Sequence, residues 1–62
     1  MANKILNEIT FYVESAELGR IEQKAQIIRP YRLTAQGALR VLRSEGYKAV
    51  AVAGVSAIRD ER

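Results

Sequence analysis

The stretch EITFYVESAELGRIEQKAQII, residues 8–28, decides the fold. Its first part alternates polar and apolar side chains, with Ile9, Phe11 and Val13 on one face, and this period of two is typical of a half-buried β-strand. The alternation then breaks, and the break ends at Gly19, which can adopt the positive φ that a short hairpin loop requires. A second apolar–polar run follows the break. The stretch therefore predicts an antiparallel β-hairpin.

A helix is predicted after the hairpin. Pro30 cannot donate a ladder hydrogen bond, so the second strand is expected to end there or to lie at an edge of the sheet. Thr34 is a good N-cap and Gly46 suits the first position past a helix, and together they bracket a helix of about 11 residues. Gly37 weakens this helix by about 1 kcal/mol relative to Ala, and the alternative expectation is that it permits close packing on the sheet. The apolar stripe has helical spacing and comprises Ala35, Ala38, Leu39 and Leu42.

A third strand is predicted at residues 47–55, where the sequence lacks polar alternation. Val50 and Val52 would then face one way, and Gly54 would mark a bulge or bend. The alanines expected on the other face are Ala49, Ala51 and Ala53. A strand that is apolar on both faces is usually covered on both.

The element order is β-β-α-β, and the predicted fold class is α+β. We expect one small domain over residues 1–62, with a three-stranded sheet, the first strand central, a right-handed crossover and one helix packed on one face. The chain ends, residues 1–4 and 59–62, are predicted to fray. One short helix leaves the second sheet face uncovered, and such a face is either solvent-exposed or a contact surface for another copy or an obligate partner. The residues predicted for that second face are Tyr12, Ile28, Ala49, Ala51 and Ala53.

Composition excludes several classes of site. The chain of 62 residues contains no cysteine and no histidine, which excludes a disulfide scaffold, a zinc module, a cysteine nucleophile and a histidine base. Glu8 and Glu14 share a strand face but lie about 20 Å apart, too far for a catalytic carboxylate pair. The sequence therefore predicts a protein that is not an enzyme and binds no cofactor or metal. Because no apolar run approaches about 18 residues and no secretory signal is recognisable, we also expect a cytoplasmic protein without a membrane partner.

Charge is concentrated in the middle of the chain. The net charge is +3, but residues 23–48 carry six basic side chains against Glu45 alone, a net of +5. This asymmetry favours an anionic partner, although a solvated charged surface is the simpler interpretation. Arginine beside tyrosine is typical of protein–protein hot spots and also of phosphate and base contacts, so an acidic protein surface is expected first and a nucleic acid second. The residues predicted to bind the partner are Arg29, Tyr31, Arg32, Arg40 and Arg43.

Two resemblances bear on these expectations. The segments AQIIRPYRL (residues 25–33) and VAVAGV (residues 50–55), separated by a helix, resemble the first βαβ unit of PII-type signalling proteins. The second half and the nucleotide-binding loop of those proteins are missing, so the resemblance implies shared local architecture and no effector chemistry. The size, the β-β-α-β order and the strand FYVE (residues 11–14) are similar to small phage-encoded inhibitors of host machinery, of the RNA polymerase inhibitor and anti-CRISPR types. That resemblance implies an inhibitory binding protein and assigns no functional residue.

Overall fold

The computed structural model describes residues 4–60, with side chains for residues 4–58. Its sheet has the strand order β2-β1-β3, and β1 pairs antiparallel with both neighbours. The α+β fold class and the central position of the first strand are therefore confirmed. The elements, in chain order, are β1 (Lys4–Ser15), β2 (Gly19–Arg29), α1 (Ala35–Ser44) and β3 (Ala51–Asp60).

The hairpin of β1 and β2 forms as its alternation predicts. Its register runs without a shift to the closing pair Ser15 and Gly19, and Gly19 has a φ of +75°. The hydroxyl of Ser15 accepts hydrogen bonds from the backbone N–H groups of Glu17 and Leu18, at 3.3 and 3.2 Å. These bonds satisfy two N–H groups of the loop, which lie outside the ladder of hydrogen bonds between the strands. Local chemistry therefore specifies the hairpin turn.

The hairpin is longer than the rest of the sheet. β3 pairs with β1 only as far as Tyr12 and Ala51, whereas β1 and β2 continue to Ser15 and Gly19. The end of the hairpin therefore projects past the third strand and gives the molecule its longest extent of 46 Å.

Both predicted ends of α1 are confirmed. The Thr34 hydroxyl accepts the N–H of Gly37 at 3.0 Å, which is the N-cap bond. At the other end Gly46 has a φ of +97°, and the N–H of Tyr47 reaches the carbonyl of Leu42 at 3.0 Å. With the bond from Gly46 N–H to the Arg43 carbonyl at 3.2 Å, this end is a Schellman motif.

Three of the four residues of the predicted helix stripe are confirmed. Ala38 and Leu42 are buried and Leu39 packs against the core, but Ala35 is exposed, and Val41, outside the predicted stripe, is half-buried beside the core. A Cβ on Gly37 would lie 3.2 Å from the Thr34 hydroxyl oxygen, so this glycine leaves room for the N-cap rather than for the sheet. The expectation that it permits packing on the sheet is therefore wrong.

The third strand begins later than predicted, at Ala51 rather than at residue 47. Tyr47 is occupied in an edge-to-face contact with Phe11, with ring centroids 5.4 Å apart. Ala49 lies in the core at 4% exposure, and its carbonyl accepts Nε of Arg43 at 3.2 Å. Residues 47–50 lie in the connection between α1 and β3, so their side chains do not alternate between two sheet faces as predicted.

The predicted bulge at Gly54 is confirmed. Thr10 pairs with Gly54 and Phe11 with Val52, which leaves Ala53 unpaired. The bulge resets the alternation of β3, so that Val52 and Val55 both pack against the core.

The core lies between α1 and one face of the sheet. Its largest fully buried side chains are Phe11, Ile9, Leu42 and the polar Asn7. Of the chain ends that were predicted to fray, Lys4, Arg59 and Asp60 have strand backbone, and residues 1–3, 61 and 62 lie outside the described residues.

Candidate partner-binding surface

Asn7 fixes the segment that carries the first predicted binding residues. This side chain is 0% exposed, and its Oδ1 accepts the N–H of Leu33 at 2.9 Å. Its Nδ2 donates to the carbonyl of Tyr31 at 3.2 Å and to that of Ile5 at 3.4 Å. The connection from β2 to α1 is thereby tied to the central strand, since a buried amide keeps its partners or loses about 1–3 kcal/mol for each one left unpaired.

A shallow groove of about 340 Å³ opens above this tied connection. Its lining combines an aromatic, two basic, two apolar and two small residues: Tyr31, Arg32, Arg40, Leu33, Val41, Thr34 and Gly37. Tyr31 is 55% exposed. An aromatic ring and two guanidinium groups therefore converge on one depression at the start of the helix.

A second depression of about 370 Å³ adjoins the first along the helix. It is lined by Gln36, Leu39, Arg40 and Arg43, so Arg40 belongs to both depressions. We call the two together the basic groove. Four of the five residues predicted to bind a partner line this groove.

Arg43 has a structural role as well as a place in the basic groove. Its Nε donates to the Ala49 carbonyl, which anchors the chain between α1 and β3. Substituting Arg43 would therefore disturb the fold and binding together. Arg32 and Arg40 are exposed and are the better test positions.

Arg29 does not line the basic groove, so the prediction that it acts with the other arginines is not supported by position. Its guanidinium donates to the carbonyl of Ile28 at 2.9 Å. It lines a third depression, of about 450 Å³, with Lys4, Ile28 and Pro30. The sequence places Arg29 close to Arg32, but β2 ends between them and the chain changes direction.

The basic groove carries uncompensated positive charge from its own segment. Residues 23–44 contain no acidic residue, and the first turn of α1 has none. Arginine stays charged at all physiological pH values and presents fixed donors that match a carboxylate or a phosphate. The arrangement can therefore bind an anionic group.

The second sheet face differs in part from its prediction. Tyr12 is half-buried and Ile28 is 48% exposed on this face, but Ala49 is buried in the core and does not belong to it. Ala51 lies opposite Tyr12, whereas Ala53 is the exposed bulge residue. The prediction failed at Ala49 because the strand begins after it.

Sequence reasoning missed two residues that matter. Leu6 lies opposite both Ile28 and Ile58 and completes an apolar row on the second face. Asn7 was missed although it lies in phase with Ile9, on the core face of the first strand. The apolar–polar alternation of β1, extended back to residue 6, assigns Leu6 to the second face and Asn7 to the core face.

Residues 4–60 hold no group of three side chains that could bind a metal ion. Within the same range, no helix is long and apolar enough to cross a membrane. Comparison of the chain with protein-family models, curated proteins and solved structures finds no match.

Proposed function

We propose that this protein is a non-enzymatic binding module whose basic groove docks on an acidic surface of a larger protein or nucleoprotein assembly. The observation that supports this proposal is the convergence of Tyr31, Arg32 and Arg40 on one depression. Tyrosine and arginine are, with tryptophan, the residues enriched at the energetic centres of protein interfaces. The proposal includes inhibition of that assembly, which is the role implied by the resemblance to phage inhibitors. It also includes a cytoplasmic location.

The groove favours a protein partner over a nucleic acid. Its walls include Leu33, Leu39 and Val41 beside the arginines, so it offers apolar contact as well as charge. Its three arginines would neutralise few phosphates, whereas binding that is dominated by the phosphate backbone can involve about 6–10 such contacts. A peptide segment with one or two carboxylates beside an apolar side chain fits this lining better.

The connection that Asn7 ties down also supports the proposal. The Tyr31 carbonyl and the Leu33 N–H are both held by Asn7, so the wall of the groove is ordered before a partner arrives. Pre-ordering reduces the conformational entropy that is lost on binding. An exposed tyrosine on a fixed backbone is therefore suited to act as an anchor.

The test compares two charge reversals of equal size. Arg40→Glu changes the residue shared by both depressions, whereas Lys48→Glu changes an exposed lysine that does not line either one. Each purified chain is immobilised and incubated with lysate of the source cells, with and without nuclease. We expect one protein to bind the wild-type chain and Lys48→Glu in nuclease-treated lysate, and to bind Arg40→Glu at least about tenfold more weakly.

Circular dichroism of Arg40→Glu checks that the fold is intact. Capture that disappears after nuclease treatment would assign the groove to a nucleic acid instead. Equal losses in Arg40→Glu and Lys48→Glu would show that only net charge matters and would contradict a defined groove.

A further inference from the structure

The sheet face opposite α1, here called the open face, has an apolar row at one end. Leu6 on β1 lies directly opposite Ile28 on β2 and Ile58 on β3. Ile28 and Ile58 are 48% and 54% exposed. Side chains directly opposite in an antiparallel pair touch, so the three form one continuous apolar strip across the sheet.

The other end of the open face carries an aromatic platform. Tyr12 is half-buried there and lies opposite the small Ala51. The guanidinium carbon of Arg20 is 5.8 Å from the centroid of the tyrosine ring. Gly54 and Ser56 continue the small side chains along β3. A bulky apolar group from a partner therefore has room beside the Tyr12 ring.

Charge on the open face is balanced, unlike charge along the basic groove. Among the side chains that the structure describes on this face, residues 4–58, three are basic and three are acidic: Lys4, Arg20, Lys24, Glu8, Glu14 and Glu22. A partner with a large net charge of either sign gains little from such a face. A surface that carries both signs in balance is suited to a copy of itself.

We propose that the open face binds a second copy of this chain, face to face about a two-fold axis. The two-fold axis lies in the interface, perpendicular to the strands and beneath Ile9. The β1 strands of the two copies therefore stack on each other and run in opposite directions. Leu6 of one copy then lies over Tyr12 of the second copy. Lys4 lies over Glu14 of the second copy, and the two-fold axis makes each contact twice. The order of side chains along β1 is thus complementary to its own reverse.

The area is sufficient for a reversible dimer. The open face between Lys4 and Glu14 covers on the order of 500 Å² per copy, from the strand rise and the strand spacing. The total of about 1,000 Å² lies at the lower limit for specific interfaces. We therefore expect a dimer with a dissociation constant in about the micromolar range. This dimer is independent of the basic groove, which lies on the helix side.

A charge-swap experiment tests the proposed geometry. In Lys4→Glu both symmetric contacts would become Glu against Glu, and in Glu14→Lys both would become Lys against Lys. Each variant alone should dimerise about tenfold more weakly than the wild type. An equimolar mixture should restore dimers, because each contact would then pair Glu with Lys. Sedimentation equilibrium of the full chain at low salt, from about 1 μM to 1 mM, measures all three.

Further variants separate the open face from other surfaces. Leu6→Asp places a charge within the apolar strip and should abolish the dimer, and circular dichroism reports whether it folds. Ile58→Asp, at a more exposed position, provides the same test if Leu6→Asp does not fold. Arg40→Glu, on the helix side, should leave the dissociation constant unchanged.

A wild-type chain that stays monomeric at about 1 mM would overturn the proposal. So would a dimer that forms equally in Ile58→Asp, or a mixture of the two charge variants that gains nothing over each alone. Loss of the dimer in Arg40→Glu would place the contact on the helix side and would also overturn it. The first three results leave partner capture by the groove unaffected, so the two proposals can fail independently.

Discussion

Replacing Asn7 with alanine should destabilise the protein more than any other single polar substitution on β1. The change removes the acceptor of the Leu33 N–H and the donor to the Tyr31 carbonyl, at a site with no solvent exposure. A buried backbone N–H left without a partner costs about 1–3 kcal/mol. The Tyr31 carbonyl also loses one hydrogen bond, and the missing amide leaves a small void. Together these two effects add about 1 kcal/mol to the loss.

The expected loss is therefore about 2–4 kcal/mol of the free energy of unfolding. A chain of 62 residues has about 3–9 kcal/mol in total, so Asn7→Ala should lie close to the limit of folding. Urea denaturation followed by circular dichroism measures the change. Gln26→Ala is the matched control, because this amide is exposed and makes only a 3.5 Å contact with Glu8. It should change the stability by less than about 0.5 kcal/mol.

Hydrogen exchange distinguishes this mechanism from general loss of packing. In the wild-type protein the Leu33 amide should exchange only on unfolding, because its N–H is bonded to a fully buried oxygen. In Asn7→Ala it should exchange by local opening of the connection, ahead of the core strands. A loss below about 1 kcal/mol with the Leu33 amide still protected would refute the reasoning.

Two further predictions concern the ends of α1. Thr34→Ala removes the N-cap acceptor of the Gly37 N–H and should lower the free energy of unfolding by about 1 kcal/mol in urea denaturation; an unchanged value would mean that water replaces the cap. Gly46→Ala forces a Cβ into the positive-φ region at +97° and should cost about 1–2 kcal/mol. Gly54→Ala is its control, because this glycine has no positive φ and a Cβ there meets no atom within 4 Å; equal losses in the two would contradict the backbone argument.

Local patterns along the sequence predict much of the fold. The hairpin turn and the two helix caps each depend on residues a few positions apart, and the bulge in β3 lies beside the glycine that predicts it. Thr34 and Gly46 specify the ends of α1 by bonding to their own neighbours, and such bonds require no knowledge of the rest of the molecule. The central position of β1 followed from the order of the elements and the handedness of the crossover.

The errors lie where tertiary contacts override local pattern. Residues 47–50 read as strand because they lead directly into the apolar run of residues 51–55, yet the ring of Tyr47 contacts Phe11 and Ala49 lies in the core. Ala49 was therefore assigned to the wrong surface. The strand alternation places Asn7 on the core face. Its role in holding the connection between β2 and α1 depends on hydrogen bonds to Tyr31 and Leu33, more than 20 residues away. No local pattern identifies a partner at that separation.

The candidate site likewise depends partly on local sequence pattern and partly on tertiary contacts. Arg40 and Arg43 are neighbours on one helix, so their proximity followed from helical spacing. Tyr31 and Arg32 join them because Asn7 holds the connection against β1. Arg29, three residues before Arg32, lines a different depression because it belongs to the strand. Charge density along the sequence therefore identified the region, and the turn after β2 decided which of its arginines act together.

The two proposed surfaces have a joint consequence. The basic groove lies on the helix side of the sheet and the open face lies on the other, so a dimer through the open face would carry its two grooves on opposite outer surfaces. One acidic segment could not span both grooves, whereas two copies of a partner, or a repeating assembly, could each occupy one. Binding to such a multivalent target is strengthened by effective concentration, without any new contact. A small domain with a shallow groove would thus gain affinity by self-association, which links the uncovered sheet face to the charged helix face.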